Sequence, residues 1–251
     1  MSLFFQAVMV GVIVWVGFLD KAFLHTFIYR PVCVGTLVGL VMGDLRTGLQ
    51  VGVSIELMFL AVVFVGLAIP PDETLSAGIA AAFGCLAHSA EIGIATALPI
   101  AIVGQMFRQT RNSTIYEFTQ RKVEQAAAKA DTKGIILWTS IIPSIVEGVL
   151  FGVPAFVAVY FGAGYIQSFI DFVPEVIISG LAVGGGFIGS VGVALLLTTI
   201  KTKDAWPYFL VGFFFASYLG INMIGIAIVA VVVVAIVYYA DKEKLKKAGG
   251  E

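Results

Sequence analysis

Long apolar runs, broken at short intervals by glycines, prolines and isolated charges, dominate this chain. Leu3–Leu19 is close to the roughly 20 residues that a bilayer crossing needs. Val32–Met42 is too short to cross alone and reads as a re-entrant or broken element. Gly48–Ile69 and Leu75–Phe107 follow, parted by Ile69-Pro70-Pro71-Asp72-Glu73, a strong turn signal. Beyond a polar stretch come Gly134–Tyr160 and Val176–Ile200. Trp206–Tyr239 is long enough for two shallow passes meeting near Gly220-Ile221-Asn222. The predicted fold class is all-α: a polytopic membrane protein with broken or re-entrant helices, its two halves joined by a cytoplasmic helical linker.

Composition agrees, with 59% hydrophobic residues, 12% charged residues and a mean hydropathy of +1.01. Soluble domains carry about 25% charge. A net charge of -1 leaves no basic field for nucleic acid. Cys33 and Cys85 sit in apolar runs without metal-type spacing and read as small buried hydrophobes. Leu3–Leu19 lacks the basic start and cleavage site of a signal peptide.

Charge placement divides the chain. Six of the fifteen Lys and Arg residues fall in Arg108–Lys133 and four in Lys242–Lys247, with Lys201 and Lys203 at another break. The positive-inside rule makes these regions cytoplasmic, whereas the acidic spots at Asp72-Glu73 and Asp171–Glu175 face outward. An even number of passages then puts both termini inside. The whole of 1–251 reads as one transport domain: a first half (1–107), a polar, alanine-rich helical linker (108–134), a second half (135–240) and a cytoplasmic tail (241–251). Short broken elements at Val32–Met42 and Trp206–Asn222 suggest a weak internal symmetry, although no residue-level repeat is evident.

Chemistry at membrane depth concentrates in Gly43–Glu56. Ionisable groups there are costly and usually line a substrate path or an internal contact. Glu56 is the first candidate, either as a sugar-hydroxyl acceptor or as an ion-pair partner of Arg46 or Arg30. Asp72 is a site residue if its loop folds inward, and Asp20 is either functional or a capping residue at a span end. Gln6 reaches a sugar or a neighbouring helix. Glu147, at the Pro143–Gly148 kink, reads as internally paired, and Gly184-Gly185-Gly186 as a helix-packing or hinge site. His25 and His88 read as hydrogen-bonding groups. No P-loop, dinucleotide fingerprint, metal cluster or nucleophilic triad is present, so no catalytic residue, metal or cofactor is expected.

The order of Arg30-Pro31, Leu37-Val38-Gly39, Gly43-Asp44-Leu45-Arg46-Thr47-Gly48, Glu56-Leu57, Pro71-Asp72, Pro99 with Gln105, Ala130-Asp131, Pro174-Glu175 and Gly185-Gly186 resembles the membrane IIC subunit of mannose/fructose/sorbose-type sugar phosphotransferase systems. Val53-Ser54 stands where that family usually has glycine and threonine. The resemblance implies a membrane IID partner, assembly as a trimer of heterodimers and elevator-like sugar movement. It also implies phosphorylation by a cytoplasmic IIB carrier supplied by IIA, with no phosphorylation site on this chain. Sugar contact or gating falls on Glu56, Asp72, Asp20 and Gln6. Ala130–Ile135 and Phe161-Gly162-Ala163 resemble the N-acetylgalactosamine or galactosamine branch more than the mannose branch. Two other readings remain open here: a stand-alone secondary sugar or ion transporter using Glu56 or Glu147, and a membrane receptor.

Overall fold

The computed structural model describes residues 2–60, 69–172, 193–194, 197–198 and 206–248. Helix α1 (Leu3–Leu19) runs into a π-helical turn at Asp20–Leu24. Then come α2 (Pro31–Met42), α3 (Leu45–Met58), α4 (Glu73–Ala87) and α5 (Ala90–Thr110). A second π-helical turn carries α5 into α6 (Glu117–Ala128). The chain reverses and returns through α7 (Thr132–Ile136), α8 (Ile142–Glu147) and α9 (Val153–Phe172), joined by π-helical turns. Among the described residues there is no strand.

The expected short element at Val32–Met42 is the first arm of a hairpin. Pro31 at the first helical turn starts α2, because its missing N–H is not needed there. Gly43, at φ 84°, ends it in the left-handed region, and the Asp44 carboxylate caps α3 by accepting from the Thr47 N–H at 3.1 Å. Two expected boundaries change. The helix predicted to begin at Gly48 begins at Leu45 and stops at Met58. The single passage predicted over Leu75–Phe107 is two helices, because His88 takes the left-handed conformation at φ 51° and Ser89 caps a new helix on the Ile92 N–H.

These two hairpins follow one plan. Gly39, Gly43 and Gly48 of the first become Gly84, His88 and Gly93 of the second, a shift of 45 positions. A Cβ added at Gly48 would lie 2.6 Å from the Gly35 carbonyl oxygen, and one added at Gly93 would lie 2.6 Å from that of Ala80, again 45 positions on. In both, glycine lets the two backbones touch beneath the tip. This repeat lies within the first half and is separate from the symmetry suggested with 206–222. Val34, Val38, Val51, Ile55, Ala80, Ala81, Ala97 and Ala101 bury the hairpins against Ala7 and Val10 of α1 and Val159 of α9. A second apolar cluster, with Phe18 stacked on Phe151 at 3.8 Å, packs α1 and α4 against the α8–α9 segment.

The connector is not a separate element. Ala90–Ala128 is a continuous 39-residue helix, about 58 Å at 1.5 Å per residue, against a hydrocarbon thickness of about 30 Å. Its polar α6 end therefore extends past the apolar zone. Arg108 and Arg111, which begin the expected connector, are both buried. Aromatic pairs stand at the two ends of the returning segment: Phe118 meets Trp138 at 5.9 Å and Phe4 meets Tyr160 at 5.8 Å. Trp138 and Tyr160 are separated by about 33 Å of helix, the spacing of interfacial belts.

The direction of α1 follows from its neighbours. Gln6 lies beside the first hairpin tip, and Lys21 lies beside Asp72 near the base of the second. The amino terminus and the connector thus sit at opposite ends of α1, although the charge pattern placed both on one face.

The chain divides into two units, Met1–Leu196 and Leu197–Glu251. The second unit contains α10 (Trp206–Ser217) and α11 (Met223–Ala248), broken near the expected Gly220–Asn222, with the Asn222 side chain capping the Gly225 N–H at 2.8 Å. Val176–Ile200 lies almost wholly outside the described residues, as do Pro174-Glu175 and Gly184-Gly185-Gly186.

Candidate functional site

Three of the four candidate residues fall at one level, where α1 ends and the hairpins open. Glu56 lies in the last turn of α3, opposite the start of α2. Its Oε1 accepts from Arg30 Nε at 2.7 Å and from Arg30 Nη2, and its Oε2 faces the Val32 N–H at 3.4 Å. Pro31 has no N–H, so Val32 offers the first backbone donor of α2 to that carboxylate. Of the two ion-pair partners expected for Glu56, the structure selects Arg30.

Asp72 is fully buried. It caps α4 on the Leu75 N–H at 2.8 Å, accepts from Arg108 Nη1 at 3.2 Å and lies 4.0 Å from Lys21 Nζ. Its loop folds inward, and its own N–H donates to the Ala101 carbonyl at 2.9 Å. Lys21 donates to Glu73 at 2.6 Å.

Asp20 is buried and holds the Thr26–Arg30 loop together. It accepts from the Thr26 N–H at 2.8 Å, the Thr26 hydroxyl at 2.6 Å and the Tyr29 N–H at 3.3 Å. These contacts brace the loop from within rather than cap a helix end. They support a loop entered through His25 and passing through Phe27, both with positive φ. Thr74 ties the same loop to α4 by donating to the Tyr29 carbonyl at 3.1 Å.

Gln6 is not with the others. It donates to the carbonyls of Val41 and Met42, both at 3.2 Å, satisfying the end of α2 at the hairpin tip. Fourteen residues of helix, about 21 Å, separate it from Asp20. Near that tip the Cys85 thiol approaches the Asp44 carbonyl at 3.5 Å, and His88 Nδ1 lies 3.9 Å from Asp44 Oδ2. Both cysteines are free.

Sequence reasoning named Arg30 but missed the other cations that accompany these acids: Lys21, Arg108 and Arg111. Arg111 pairs with Glu147, which also accepts from the Tyr116 hydroxyl at 2.7 Å. Glu147 is thus internally paired, as its setting at a kink suggested. A usable signal existed, since an arginine inside an apolar segment needs a counter-charge, but Arg108 and Arg111 were read as connector charge. Exposure sorts the four pairs. Arg30 and Glu56 keep 29% and 19% of their side-chain surface, whereas Arg108 and Asp72 keep 11% and 0%, and Arg111 and Glu147 keep 9% and 3%. Lys21 and Glu73 lie between, at 14% and 9%. Only a reachable carboxylate can exchange an internal partner for a hydroxyl without the whole layer opening.

The model of the phosphotransferase system sorbose-specific IIC component matches residues 4–236. The chain belongs to that family. It is 35% identical to the sorbose-specific IIC component of Klebsiella pneumoniae over 194 residues, covering 76% of this chain and 72% of the relative. It is 29% identical to the mannose-specific IIC component of Escherichia coli strain K12, over 86% of this chain and 82% of the relative. The N-acetylgalactosamine permease IIC component 1 of the same organism is 27% identical over 86% and 81%. Among solved structures, a membrane protein superposes with a TM-score of 0.83 at 27% identity, covering 94% of this chain and 95% of its own. Mannose transporter ManYZ, solved by cryo-EM with microcin E492, gives 0.59 at the same identity and coverage. This IIC subunit is accordingly a multi-pass membrane protein of the mannose/sorbose sugar-transporting family.

Proposed function

We propose that this IIC subunit carries a hexose or amino sugar across a bacterial inner membrane by an elevator-like shift, for phosphorylation by a partner on the cytoplasmic side. The observation that carries the reading is the Arg30–Glu56 pair, a carboxylate at the base of a glycine-locked hairpin whose two partners both stay reachable. A sugar hydroxyl donates well to a carboxylate. Asp72 and Asp20 shape the same layer, while Gln6 acts at the hairpin tip as a gate residue. The rigid two-hairpin body supports movement of the site as a unit. In this reading a IID subunit completes a trimer of heterodimers, with IIB and IIA as the phospho-carriers. Family membership favours this scheme over a stand-alone secondary transporter.

The sugar has two readings. Ala130–Ile135 and Phe161–Ala163 favour N-acetylgalactosamine or galactosamine, and the higher identity to a sorbose-specific relative favours a ketohexose. For orientation, the cations of the connector favour a cytoplasmic connector. With α1 crossing once, the amino terminus then lies on the opposite face and the lysine-rich tail inside. Thiol labelling of Ser2→Cys and Lys129→Cys in intact cells tests this, and labelling of both from one side overturns it.

Sugar binding by the complex co-expressed with its IID partner tests the function. N-acetylgalactosamine, galactosamine, mannose, fructose and sorbose are compared for wild type and Glu56→Gln. Selective binding that the substitution removes is the expected result. Unchanged binding by the variant sinks the Glu56 assignment, and uptake that persists without phosphoenolpyruvate sinks the phosphotransferase scheme.

A further inference from the structure

We infer that Arg30 is a positioning residue of the sugar site, holding Glu56 ready and presenting donors beside it to a vicinal pair of sugar hydroxyls. The inference rests on the reading of Glu56 as a sugar-binding carboxylate and adds a second residue and a recognition chemistry to it.

Three observations lead here. The first is geometric. Arg30 directs Nε and Nη2 at one carboxylate oxygen, Oε1, which leaves Oε2 only the long Val32 N–H contact at 3.4 Å. Guanidinium carries five N–H donors, and among the described residues the side-chain hydrogen bonds of Arg30 go to Glu56 alone. A weakly engaged acceptor and spare donors therefore stand side by side. A vicinal diol offers the matching pair, one hydroxyl donating to carboxylate and its neighbour accepting from guanidinium.

The second is the internal control that the repeated hairpin provides. Shifted by 45 positions, Arg30 becomes Leu75 and Glu56 becomes Ala101. The second hairpin makes the same close glycine contact with no ion pair at those positions. Its base is held instead by the Asp72 N–H on the Ala101 carbonyl, the Ser76 hydroxyl on the Ala97 carbonyl at 2.6 Å, and the buried Asp72–Arg108 pair. The Arg30–Glu56 pair is thus an addition to the hairpin plan rather than a requirement of it.

The third is exposure: among the described residues, Arg30 and Glu56 are the most open of the lysine and arginine ion pairs that join separate helices. A purely structural pair in an apolar layer gains from closure, because leaving it accessible weakens it.

The test is a binding and uptake series on the full complex with its IID partner, using Arg30→Lys, Arg30→Gln, Glu56→Gln, the double variant Arg30→Gln/Glu56→Gln and the exchanged pair Arg30→Glu/Glu56→Arg. Lysine keeps the charge but loses the fork, so about a tenfold rise in KM is expected for Arg30→Lys, with kcat little changed. Arg30→Gln weakens binding further, and the double variant loses more than Glu56→Gln alone but less than the sum of the two single losses. The exchanged pair restores thermal stability of the complex without restoring sugar binding, which a merely structural role does not predict. Wild-type binding by Arg30→Gln, with binding lost in Glu56→Gln, overturns the role of Arg30 and leaves Glu56 in place. Fully additive losses overturn action through Glu56. Wild-type binding by Glu56→Gln removes both readings together.

Discussion

Hairpins α2–α3 and α4–α5 place their backbone contacts at the same distances from their tips, yet their bases are closed in opposite ways. In the first, an arginine at the start of the leading helix meets a glutamate near the end of the returning one, and both stay partly exposed. In the second, the aspartate leads, the arginine returns, and the pair is sealed. Sealing makes a clamp: desolvated partners cannot separate without leaving a bare charge. Openness makes a site, because solvent or substrate can replace a partner at modest cost. One backbone plan thus serves two tasks, and the side chains at its base decide which.

This contrast can be broken most severely at the clamp. Asp72→Asn leaves Arg108 and Lys21 facing a neutral amide in a buried layer. A loss of about 3–5 kcal/mol is expected, read as poor recovery of the complex and early thermal unfolding in detergent. If Asp72→Asn melts like wild type, the sealed pair is not a clamp.

Next come the paired glycines. Gly48→Ala and Gly93→Ala each drive a methyl group against backbone, at about 1–3 kcal/mol apiece. Matching melting shifts sharpen the equivalence of the hairpins, and one tolerated substitution beside one severe one dissolves it.

Smaller still is the open pair. Glu56→Gln is expected to cost less than about 1 kcal/mol in stability while abolishing sugar binding. A stability loss as large as that of Asp72→Asn makes the two bases alike.

The tips come last. Gly43 and His88 hold the same left-handed position, and a Cβ at Gly43 meets nothing within 4 Å. His88→Gly exchanges relief of left-handed strain against the greater flexibility of glycine in the unfolded chain. A net change within about 1 kcal/mol is expected, checked by the same melting measurement.

Much of this was legible in the residues. Val32–Met42 was too short to cross, and it is a hairpin arm. Gly43–Gly48 announced a break and a close approach, and it supplies both. The helix end at His88 carries little sequence signal, because a histidine rarely adopts the left-handed conformation that a glycine there would advertise. The hairpin repeat was hidden for a related reason. Its signature is spacing rather than identity, with alanine standing for glycine at Ala80 and Ala97 and histidine for glycine at His88. Arg108 and Arg111 were misplaced because charge density along a chain does not reveal which side chains turn inward.

The sequence by itself determined the solvent this protein lives in, the break at Gly43, the polar reach of its connector and its family, since each depends on runs of neighbouring residues. Only the tertiary structure decided that Glu56 meets Arg30 rather than Arg46, that Asp72 is sealed by Arg108, that Gln6 stands apart from the other three, and that the amino terminus and connector occupy opposite ends of α1. Those outcomes turn on which segments 26 to 36 positions apart come within hydrogen-bonding reach. Hydrophobic periodicity is silent on that point, whereas glycine-mediated backbone contact settles it by fixing how closely, and in what register, the helices pack.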